Sequence, residues 1–303
     1  MNTNTKKQHY VWRKYLNPWK LNTEEKKLWT LIIKTNKVDH ISLMDVAQSN
    51  YFYKMYELSP LEIQICRNLS QQLPSFIKPL AETLLKGYEA ISFNLMSETD
   101  KKEFALYAIE NMQSHFERMG IELLNCNNID DLKKIQNKYQ AIFFLCIQYC
   151  RTYKMREAGI VGYKDHPFKS ELYNKAFPFI SLLVATTLGH NLVVGNPKTR
   201  YIFVRNDTSV PFITCDQPVI NLKKDDVDKN GDIKDIELFY PISPSRAIII
   251  SQNILLDEYS EILADKSFVE DKNKKMCENA LLFIFANNEA ILNEIKWNPS
   301  LKQ

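Results

Sequence analysis

The spacing of apolar residues changes near Gly195, and this change constrains the fold more than any other feature of the sequence. Before it, apolar side chains recur every three or four residues in long segments, which predicts helices. These segments are residues 58–73, 76–95, 98–125, 130–157 and 168–188. After it come short runs rich in β-branched and aromatic residues, which predict strands. These runs are residues 200–204, 211–215, 219–222, 236–240 and 247–251.

Helices followed by strands predict an α+β fold, with a mostly helical first two-thirds packed against a small, mainly antiparallel C-terminal sheet. Two helices, over about 257–264 and 268–285, are expected to close the chain. We expect a single globular unit over residues 1–303, in which a mainly helical part (1–195) and a sheet-containing part (196–303) share one core. The chain has 7 glycines in 303 residues, against an average usage of about 7%. This scarcity disfavours glycine-rich nucleotide loops and turn-rich sandwiches.

The first 53 residues carry weaker signals. Pro18 predicts an extended or turn-like segment over residues 8–20, and residues 41–53 are also expected to be extended. Asn22, with Glu25 at the capping-box position, predicts a helix over residues 23–36. Further along, Gly120 is expected to interrupt or kink the helix over 98–125.

Cysteine usage and hydropathy predict a soluble cytoplasmic protein without a membrane partner. The six cysteines form no CxxC pair and lie mostly in apolar stretches, which is typical of reduced thiols rather than of a zinc site. No signal peptide is recognised at residues 1–10. The uncharged stretch 176–194 contains polar residues and is expected to be a buried helix that ends near Gly189.

The formal net charge is only +3, but residues 1–37 hold nine Lys or Arg against two Glu. Trp12, Tyr15, Trp19 and Trp29 are interleaved with them. Basic residues with aromatics suit a nucleic-acid surface, through phosphate contacts and base stacking. The alternative is that the aromatics anchor an N-terminal arm to the core while the lysines solvate it.

Residues 141–147 are apolar on every side of a helix, and Gln148 and Arg151 follow on one face. An arginine at the end of a buried helix needs acceptors, supplied either by protein carboxylates and carbonyls or by a bound phosphate. Arg156 lies about 140° further round the helix, so it shares a site with Arg151 only if the helix ends early.

Asp216 ends an apolar strand just before a proline-bounded turn. This position is typical of an acid, a base or a metal ligand, and equally of a turn former. Ser243 lies in a stiff Pro-Ile-Ser-Pro connector and lacks the nucleophile-elbow pattern. His9 stands beside Tyr10, Trp12 and Arg13, a setting that makes it a candidate general base.

The segment Asp226–Glu237 matches the calcium-loop pattern of EF-hands. Its context disagrees, because a strand-like run precedes it, Pro241 blocks an exit helix and Lys234 stands at an oxygen-donor position. We therefore expect a polar hairpin loop without calcium; any divalent cofactor elsewhere stays undefined.

Several short motifs together resemble the bacterial family of domain of unknown function 4238. They are Gln8-His9-Tyr10-Val11 with Tyr15-Leu16, Gln148 with Arg151-Thr152 and Arg156-Glu157, Thr214-x-Asp216-Gln217-Pro218, Pro241-Ile242-Ser243-Pro244, and Asn279. Trp12 and Gln217 depart from the family's usual Pro and Asn. The resemblance implies one globular unit with helices before a small sheet. It implies no established reaction, but it strengthens the choice of His9, Arg151, Arg156 and Asp216.

Three hypotheses follow. In the first, the protein is a nuclease-like hydrolase, an effector in a toxin or phage-defence setting: His9 is the general base, Arg151 and Arg156 hold the phosphate, and Asp216 orients the base or holds a divalent ion. Gln148, Arg13 and Ser243 would contact the substrate. In the second, the protein is a non-catalytic binding or sensor module for an anionic ligand, such as nucleic acid, or for a protein partner. In the third, these polar residues form a buried structural network.

Overall fold

Strands from the first 50 residues complete a sheet whose other strands come from beyond residue 213. The computed structural model describes residues 6–21, 26–195, 198–229 and 233–297. Its helices are α1 (Arg13–Leu16), α2 (Pro60–Gln72), α3 (Lys78–Ser92), α4 (Glu98–Met119), α5 (Ile121–Leu124), α6 (Ile129–Lys134), α7 (Lys138–Cys150), α8 (Tyr153–Gly162), α9 (Pro167–Val194), α10 (Lys266–Asn279) and α11 (Glu289–Trp297). Short 3₁₀ turns cover Asn17–Trp19 and Ile33–Thr35.

The strands are β1 (Lys7–His9), β2 (Lys27–Ile32), β3 (Lys37–Ser42), β4 (Gln48–Asn50), β5 (Arg200–Asn206), β6 (Thr214–Cys215), β7 (Ile220–Asn221), β8 (Glu237–Ser243), β9 (Arg246–Ser251), β10 (Tyr259–Ala264) and β11 (Phe283–Ala286). A five-stranded sheet has the order β10-β5-β9-β8-β7, with β10 parallel to β5 and the other pairs antiparallel. A four-stranded antiparallel sheet has the order β3-β2-β11-β6. Strands β1 and β4 form a separate antiparallel ribbon. The α+β fold is confirmed, although the strands form more than one sheet.

Helices α7 and α9 form the centre of the helical part. The run from Ala141 to Ile147 is largely buried, because α7 is surrounded by other elements. The expected helix end near Gly189 is wrong, because α9 continues to Val194. A Cβ added at Gly189 would lie 3.5 Å from the Cα of Phe143, an ordinary van der Waals contact. One cluster of buried apolar side chains extends from Tyr10 in the chain to Phe285 and so includes both parts of the molecule.

The interruption expected at Gly120 is confirmed, because α4 ends at Met119 and α5 begins at Ile121. A Cβ at Gly120 would lie 2.3 Å from the ring of Phe144, so a larger residue would displace α7. The segment 130–157 is also divided, into α6, α7 and α8. Asn128, Asn137 and Thr152 cap these three helices by accepting backbone N–H bonds.

Two expected helices are wrong. Residues 27–32 form strand β2, which pairs with β3 on one edge and with β11 on the other. Pairing with the distant β11 in particular overrides the local capping signal. The predicted cap residues Asn22 and Glu25 lie outside the described residues. Residues 259–264 form strand β10 instead of a helix. The expected helix 268–285 is correct only to Asn279, after which the chain enters β11.

Helix α9 is long and apolar enough to cross a membrane by length and composition alone. In the fold, 56% of its most apolar 18-residue stretch is buried inside the protein. More than half of this stretch therefore packs against other parts of the protein.

Candidate functional site

Residues 6–20, hereafter the arm, are fixed to the rest of the protein by side chains. The Gln8 amide donates to the carbonyl of Leu106 at 2.9 Å and accepts from the backbone N–H of Tyr53 at 2.8 Å. The Trp19 indole donates to the carbonyl of Phe212 at 3.0 Å. Gln8 and Trp19 are completely buried.

The other aromatic residues of the arm also pack inward. The Tyr15 ring is buried and stacks on Tyr240 with centroids 4.8 Å apart. Trp12 packs edge-on against Phe144 with centroids 5.6 Å apart. Tyr15 and Trp19 are thus used for anchoring, in line with the second interpretation of the arm, whereas Trp12 is only half-buried.

Gln148 at the end of α7 connects the arm to Arg151. Its amide nitrogen donates to the carbonyl of Tyr10 at 2.9 Å, and its oxygen accepts from Nη2 of Arg151 at 2.9 Å. The backbone N–H of Trp12 lies 3.4 Å from the same oxygen. Every polar atom of the Gln148 side chain therefore has a partner within the protein.

Arg151 is 1% exposed, and helix α4 supplies its remaining acceptors. Nη1 donates to Oε1 of Gln113 at 3.1 Å, and Nη2 donates to Oε1 of Glu117 at 2.9 Å. Burial alone would lower the pKa of Arg151, but Tyr53 and Glu117 reverse the effect and raise it. The guanidinium charge is thus balanced by an internal carboxylate, which leaves no net positive charge to attract an anion.

Glu110, one helical turn before Gln113, faces the same guanidinium. Burial raises the pKa of Glu110 to about 7, although the charge of Arg151 opposes the shift. Burial likewise raises the pKa of Glu117, again opposed by Arg151. Among the described residues, Oε2 of Glu110 and Nε of Arg151 are buried without a hydrogen-bond partner.

His9 ends strand β1 and is half-buried. Its Nε2–H donates to the carbonyl of Leu43 at 3.2 Å. Burial, aided by the charges of Arg13 and Arg151, lowers the pKa of His9 to about 4, so the ring is neutral at pH 7. Arg13 is exposed, and its guanidinium contacts the sulfur of Met44.

Arg156 lies in α8 and points to a different set of partners. Its Nε donates to Oδ1 of Asn174 at 2.9 Å. Its guanidinium lies over the rings of Phe52 and Phe177, 5.6 and 5.7 Å from their centroids. This half-buried cation is held by an amide and two aromatic faces.

Asp216 follows β6 and binds the turn between α10 and β11. Its Oδ1 accepts from the N–H of Leu281 at 2.9 Å, and its Oδ2 accepts from the N–H of Leu282 at 2.8 Å. Burial raises the pKa of Asp216 to about 6, while these amide donors act in the opposite direction. The next residue, Gln217, donates to the carbonyls of Tyr149 and Val219.

Ser243 lies at the bulge between β8 and β9 and is buried. Its hydroxyl accepts from Nε of Arg246 at 3.1 Å and from the N–H of Ser245 at 3.3 Å. It therefore stabilises a tight strand connection, in line with the stiff connector expected there.

The structure brings some of the sequence candidates together and leaves others apart. His9, Arg13, Gln148 and Arg151 surround the junction of the arm, α4 and the end of α7. The functional groups of Arg156, Asp216 and Ser243 instead bind Asn174, the turn at 281–282 and Arg246. The sequence reasoning missed the polar face of α4 that lies against Arg151, although its members are spaced for one helix face. They are Glu110, Gln113 and Glu117.

The calcium-like segment forms a hairpin between β7 and β8. Val227 pairs with Ile233, and Nζ of Lys234 lies 3.0 Å from Oδ1 of Asp226. Asn230 and Gly231 lie outside the described residues. Glu237, the last position of the pattern, lies in β8 and accepts from the Ser251 hydroxyl. Over the ranges the structure describes, no three His, Cys, Asp or Glu side chains group as metal ligands, and all six cysteines are buried and outside disulfides.

A cavity with a volume of about 1010 Å³, hereafter the groove, lies beside the arm. One wall is the loop 51–57, the other is the first half of α4, and α3 and α9 close the ends. The residues lining it are Tyr51, Lys54, Met55, Tyr56, Glu57, Ile91, Glu98, Thr99, Lys101, Lys102, Ala105, Leu106 and Lys175. None of them was a sequence candidate, although tyrosines and Lys54 alternate in residues 51–56 and two lysines are adjacent at 101–102.

The lysines of the groove differ in their partners. Nζ of Lys101 pairs with Glu57 at 2.8 Å, and Lys175 pairs with Glu62 and Glu171. Lys54 lies over the ring of Tyr56, 4.9 Å from its centroid. Within the described part of the chain, Lys54 and Lys102 are uncompensated in the sense that no carboxylate pairs with them, although Glu57 and Glu98 also line the groove.

Tyr51 at the groove wall has a strained backbone, with φ of 51°. A bulky residue in the left-handed region is a true outlier, and such strain concentrates at ligand-binding and catalytic sites. Its backbone N–H donates to the carbonyl of Lys6 at 2.9 Å, which holds the conformation in place.

Replacing Glu110 by glutamine is expected to stabilise the protein increasingly as the pH rises. The pKa of Glu110 in the fold is about 7, above the ordinary value near 4.3 in an unfolded chain. The free energy of unfolding of the wild type is therefore not reduced by Glu110 below about pH 4, and it falls as the pH rises towards 7 and the carboxyl ionises. Glutamine does not titrate, so E110Q does not lose this stability. Between pH 4.5 and pH 8, the difference in free energy of unfolding between E110Q and wild type should change by on the order of 1–3 kcal/mol in favour of E110Q. Urea unfolding at the two pH values measures this difference.

The exposed Glu122 of α5 is the matched control, and the difference between E122Q and wild type should change little with pH. Comparison with wild type cancels the titration of His9 and Asp216, which both proteins share. A difference between E110Q and wild type that stays flat from pH 4.5 to 8 would contradict the prediction.

Comparison with known proteins adds a family but no activity. Residues 187–290 match the family described as "Protein of unknown function (DUF4238)". The match covers about one third of the 303 residues and contains Asp216, Gln217, Ser243 and Asn279. It supports membership of that family, as the sequence motifs indicated. No curated protein and no solved structure matches this chain.

Proposed function

From the groove we propose a binding module for a nucleotide, either free or as one unit of a single strand; the match of residues 187–290 to the DUF4238 family assigns no activity. The observation that carries the proposal is the joint presence in one cavity of two tyrosines and two lysines without an ion-pair partner, where the lining lysines outnumber the lining carboxylates Glu57 and Glu98. Lysines neutralise phosphate, and tyrosine rings stack on bases. A volume of about 1010 Å³ is at the upper end of small-molecule sites, which span about 300–1000 Å³.

The shape of the groove wall supports a ligand rather than simple solvation. Tyr51 is held in a left-handed conformation at the rim, and its ring lies edge-on to Tyr107 with centroids 6.3 Å apart. Backbone strain at a site needs support from neighbouring structure, and here the arm supplies it through Lys6. Lys54 over Tyr56 presents a cation and a ring face from the same loop.

The residues of the hydrolase hypothesis offer less to a ligand. A catalytic general base needs a substrate proton within reach, and an arginine clamp needs unused donors. Both terminal nitrogens of Arg151 already donate to Gln113, Gln148 and Glu117, and its unused Nε is buried. Both oxygens of Asp216 accept amide N–H bonds. A nuclease-like reaction at His9 therefore stays a prediction, and so do cytoplasmic localisation and a role in a toxin or phage-defence setting.

Removing both uncompensated lysines, in the variant K54Q/K102Q, is expected to weaken binding of a fluorescent single-stranded oligonucleotide about tenfold, or by about 1.4 kcal/mol. The plot of log affinity against log salt should lose about 0.7 in slope for each phosphate contact removed. The control K133Q/K134Q removes two exposed lysines of α6 and should remain within about twofold of wild type. Fluorescence anisotropy from 50 to 200 mM salt provides the measurement.

Competition with AMP distinguishes the two sources of the ligand. Displacement of the oligonucleotide by AMP identifies a free nucleotide as sufficient, whereas failure of AMP with retained strand binding identifies the strand. Equal loss in the groove variant and the control, or no binding of either probe by wild type, would overturn the proposal.

The same samples test for hydrolysis. Incubation of RNA and DNA with wild type and H9A, with and without EDTA, should leave both polymers intact if the protein is a binding module. Cleavage that H9A abolishes would instead support the nuclease-like hypothesis.

A further inference from the structure

We infer that the arm sets the width of the groove, with Gln8 as the positioning residue that joins its two walls. This inference rests on the proposed function for the identity of the ligand, but the geometry behind it is independent of any ligand. Gln8 is completely buried, and it lines neither wall itself. It would act on a ligand through the residues to which it is bonded.

The two hydrogen bonds of the Gln8 side chain go to opposite walls. Its Nε2 donates to the carbonyl of Leu106, which belongs to the α4 wall, at 2.9 Å. Its Oε1 accepts from the N–H of Tyr53, in the loop wall, at 2.8 Å. A carbonyl within a helix retains a second lone pair, so Leu106 can accept this additional bond. One planar amide therefore joins helix and loop on the side of the arm, in addition to the direct Met55–Ala105 bond and the Lys101–Glu57 ion pair.

The backbone of the arm fixes the loop from the other side. The carbonyl of Lys6 accepts from the N–H of Tyr51, and β1 pairs with β4 immediately before that residue. Register places Gln8 opposite Ser49 and Lys7 opposite Asn50. The strained Tyr51 therefore follows directly from a strand that the arm aligns.

Hydrogen exchange of the Met55 backbone amide reports on the distance between the two walls. Its N–H donates to the carbonyl of Ala105 at 2.8 Å, which is a direct backbone bond from the loop to α4. Met55 makes no hydrogen bond to the arm. Its amide is protected only while the two walls stay close together.

The two hydrogen bonds at this position require a side chain with both a donor and an acceptor, which glutamine has. Gln8 must donate to one wall and accept from the other, and ionised glutamate can only accept. In Q8E the carboxylate would face the carbonyl oxygen of Leu106 and push the helix away. Protonation restores an O–H donor, so Q8E regains the wild-type arrangement at low pH. Leucine at this position loses both bonds at every pH.

The test compares oligonucleotide affinity and hydrogen exchange in wild type, Q8E and Q8L. At pH 8 both variants should bind the oligonucleotide about tenfold more weakly than wild type, a loss typical of one or two hydrogen bonds. At pH 5 the ratio of wild-type to Q8E affinity should approach one, whereas the ratio for Q8L should not change. Exchange of the Met55 amide at pH 8 should be about tenfold faster in both variants.

The exchange measurement separates this inference from the proposed function. If wild type binds no oligonucleotide, the proposed function fails, and faster exchange at Met55 still supports the role of Gln8. Wild-type exchange at Met55 in a folded Q8E would overturn the inference, because the walls would then keep their spacing without the amide. The half-buried Gln48 of β4 supplies the control: Q48E should leave Met55 exchange unchanged.

Discussion

Replacing Arg151 by methionine is expected to lower the free energy of unfolding by about 3–5 kcal/mol. Methionine fills a similar volume, so the loss comes from the polar groups left behind rather than from a cavity. Glu117 would lose its buried cation, and the side-chain oxygens of Gln113 and Gln148 would lose a charged donor. Urea unfolding of wild type and R151M at pH 7, monitored by circular dichroism, measures the difference.

The double variant R151M/E117Q separates this mechanism from a general packing effect. If the uncompensated Glu117 carboxylate causes the loss, the second substitution should recover stability relative to R151M. Exposed Arg118, on the same helix as Glu117, provides the control, and R118M should change stability by no more than about 0.5 kcal/mol. Stability of R151M equal to wild type would contradict a network held together by this guanidinium.

Replacing Asp216 by alanine is expected to cost about 2–4 kcal/mol, since two backbone N–H groups lose their acceptor together. The carboxylate of Asp216 joins the end of β6 to the turn before β11, so its loss affects the four-stranded sheet directly. Exchange of the Leu281 and Leu282 amides should accelerate more than that of amides in the five-stranded sheet. Chemical unfolding and hydrogen exchange give the two readouts.

D216N tests the requirement for two acceptors. An asparagine keeps one oxygen and presents an amino group to the other N–H, so its stability should lie between those of wild type and D216A. Wild-type stability in D216A would show that the turn at 280–283 does not need this side chain. D207A, at an exposed position whose carboxylate pairs with Arg205, is the control and should have a small effect.

The helical part of the fold was predictable because its signals are local. Helix α2 begins at Pro60 after the cap residue Ser59, and Glu62 completes a capping box, all within four residues. Strand β2 was harder to predict, because its hairpin partner β3 follows directly but its other partner β11 lies about 250 residues later in the chain. The capping-box signal at Asn22 and Glu25 predicted a helix, because it is local and carries no information about the strand partners.

The candidate site also contains residues that local sequence reveals and residues that only tertiary packing reveals. Gln148 and Arg151 were found because an uncharged helical run makes a following arginine conspicuous. The residues that neutralise Arg151 come from α4, and no spacing within one helix indicates which other helix it faces. The groove was missed for the same reason, since its lysines and tyrosines become neighbours only after the loop 51–57 packs on α4.

The arm has a consequence for biosynthesis. Tyr15 bonds to Thr214 across 199 residues, and Trp19 bonds to Phe212 across 193. These aromatic residues leave the ribosome long before the strands that cover them exist, so they cannot be buried during most of translation. Such distant contacts also slow folding, because chain closure must precede them. The aromatic side chains of the arm should therefore reach their buried positions only after residues 212–240 have been made.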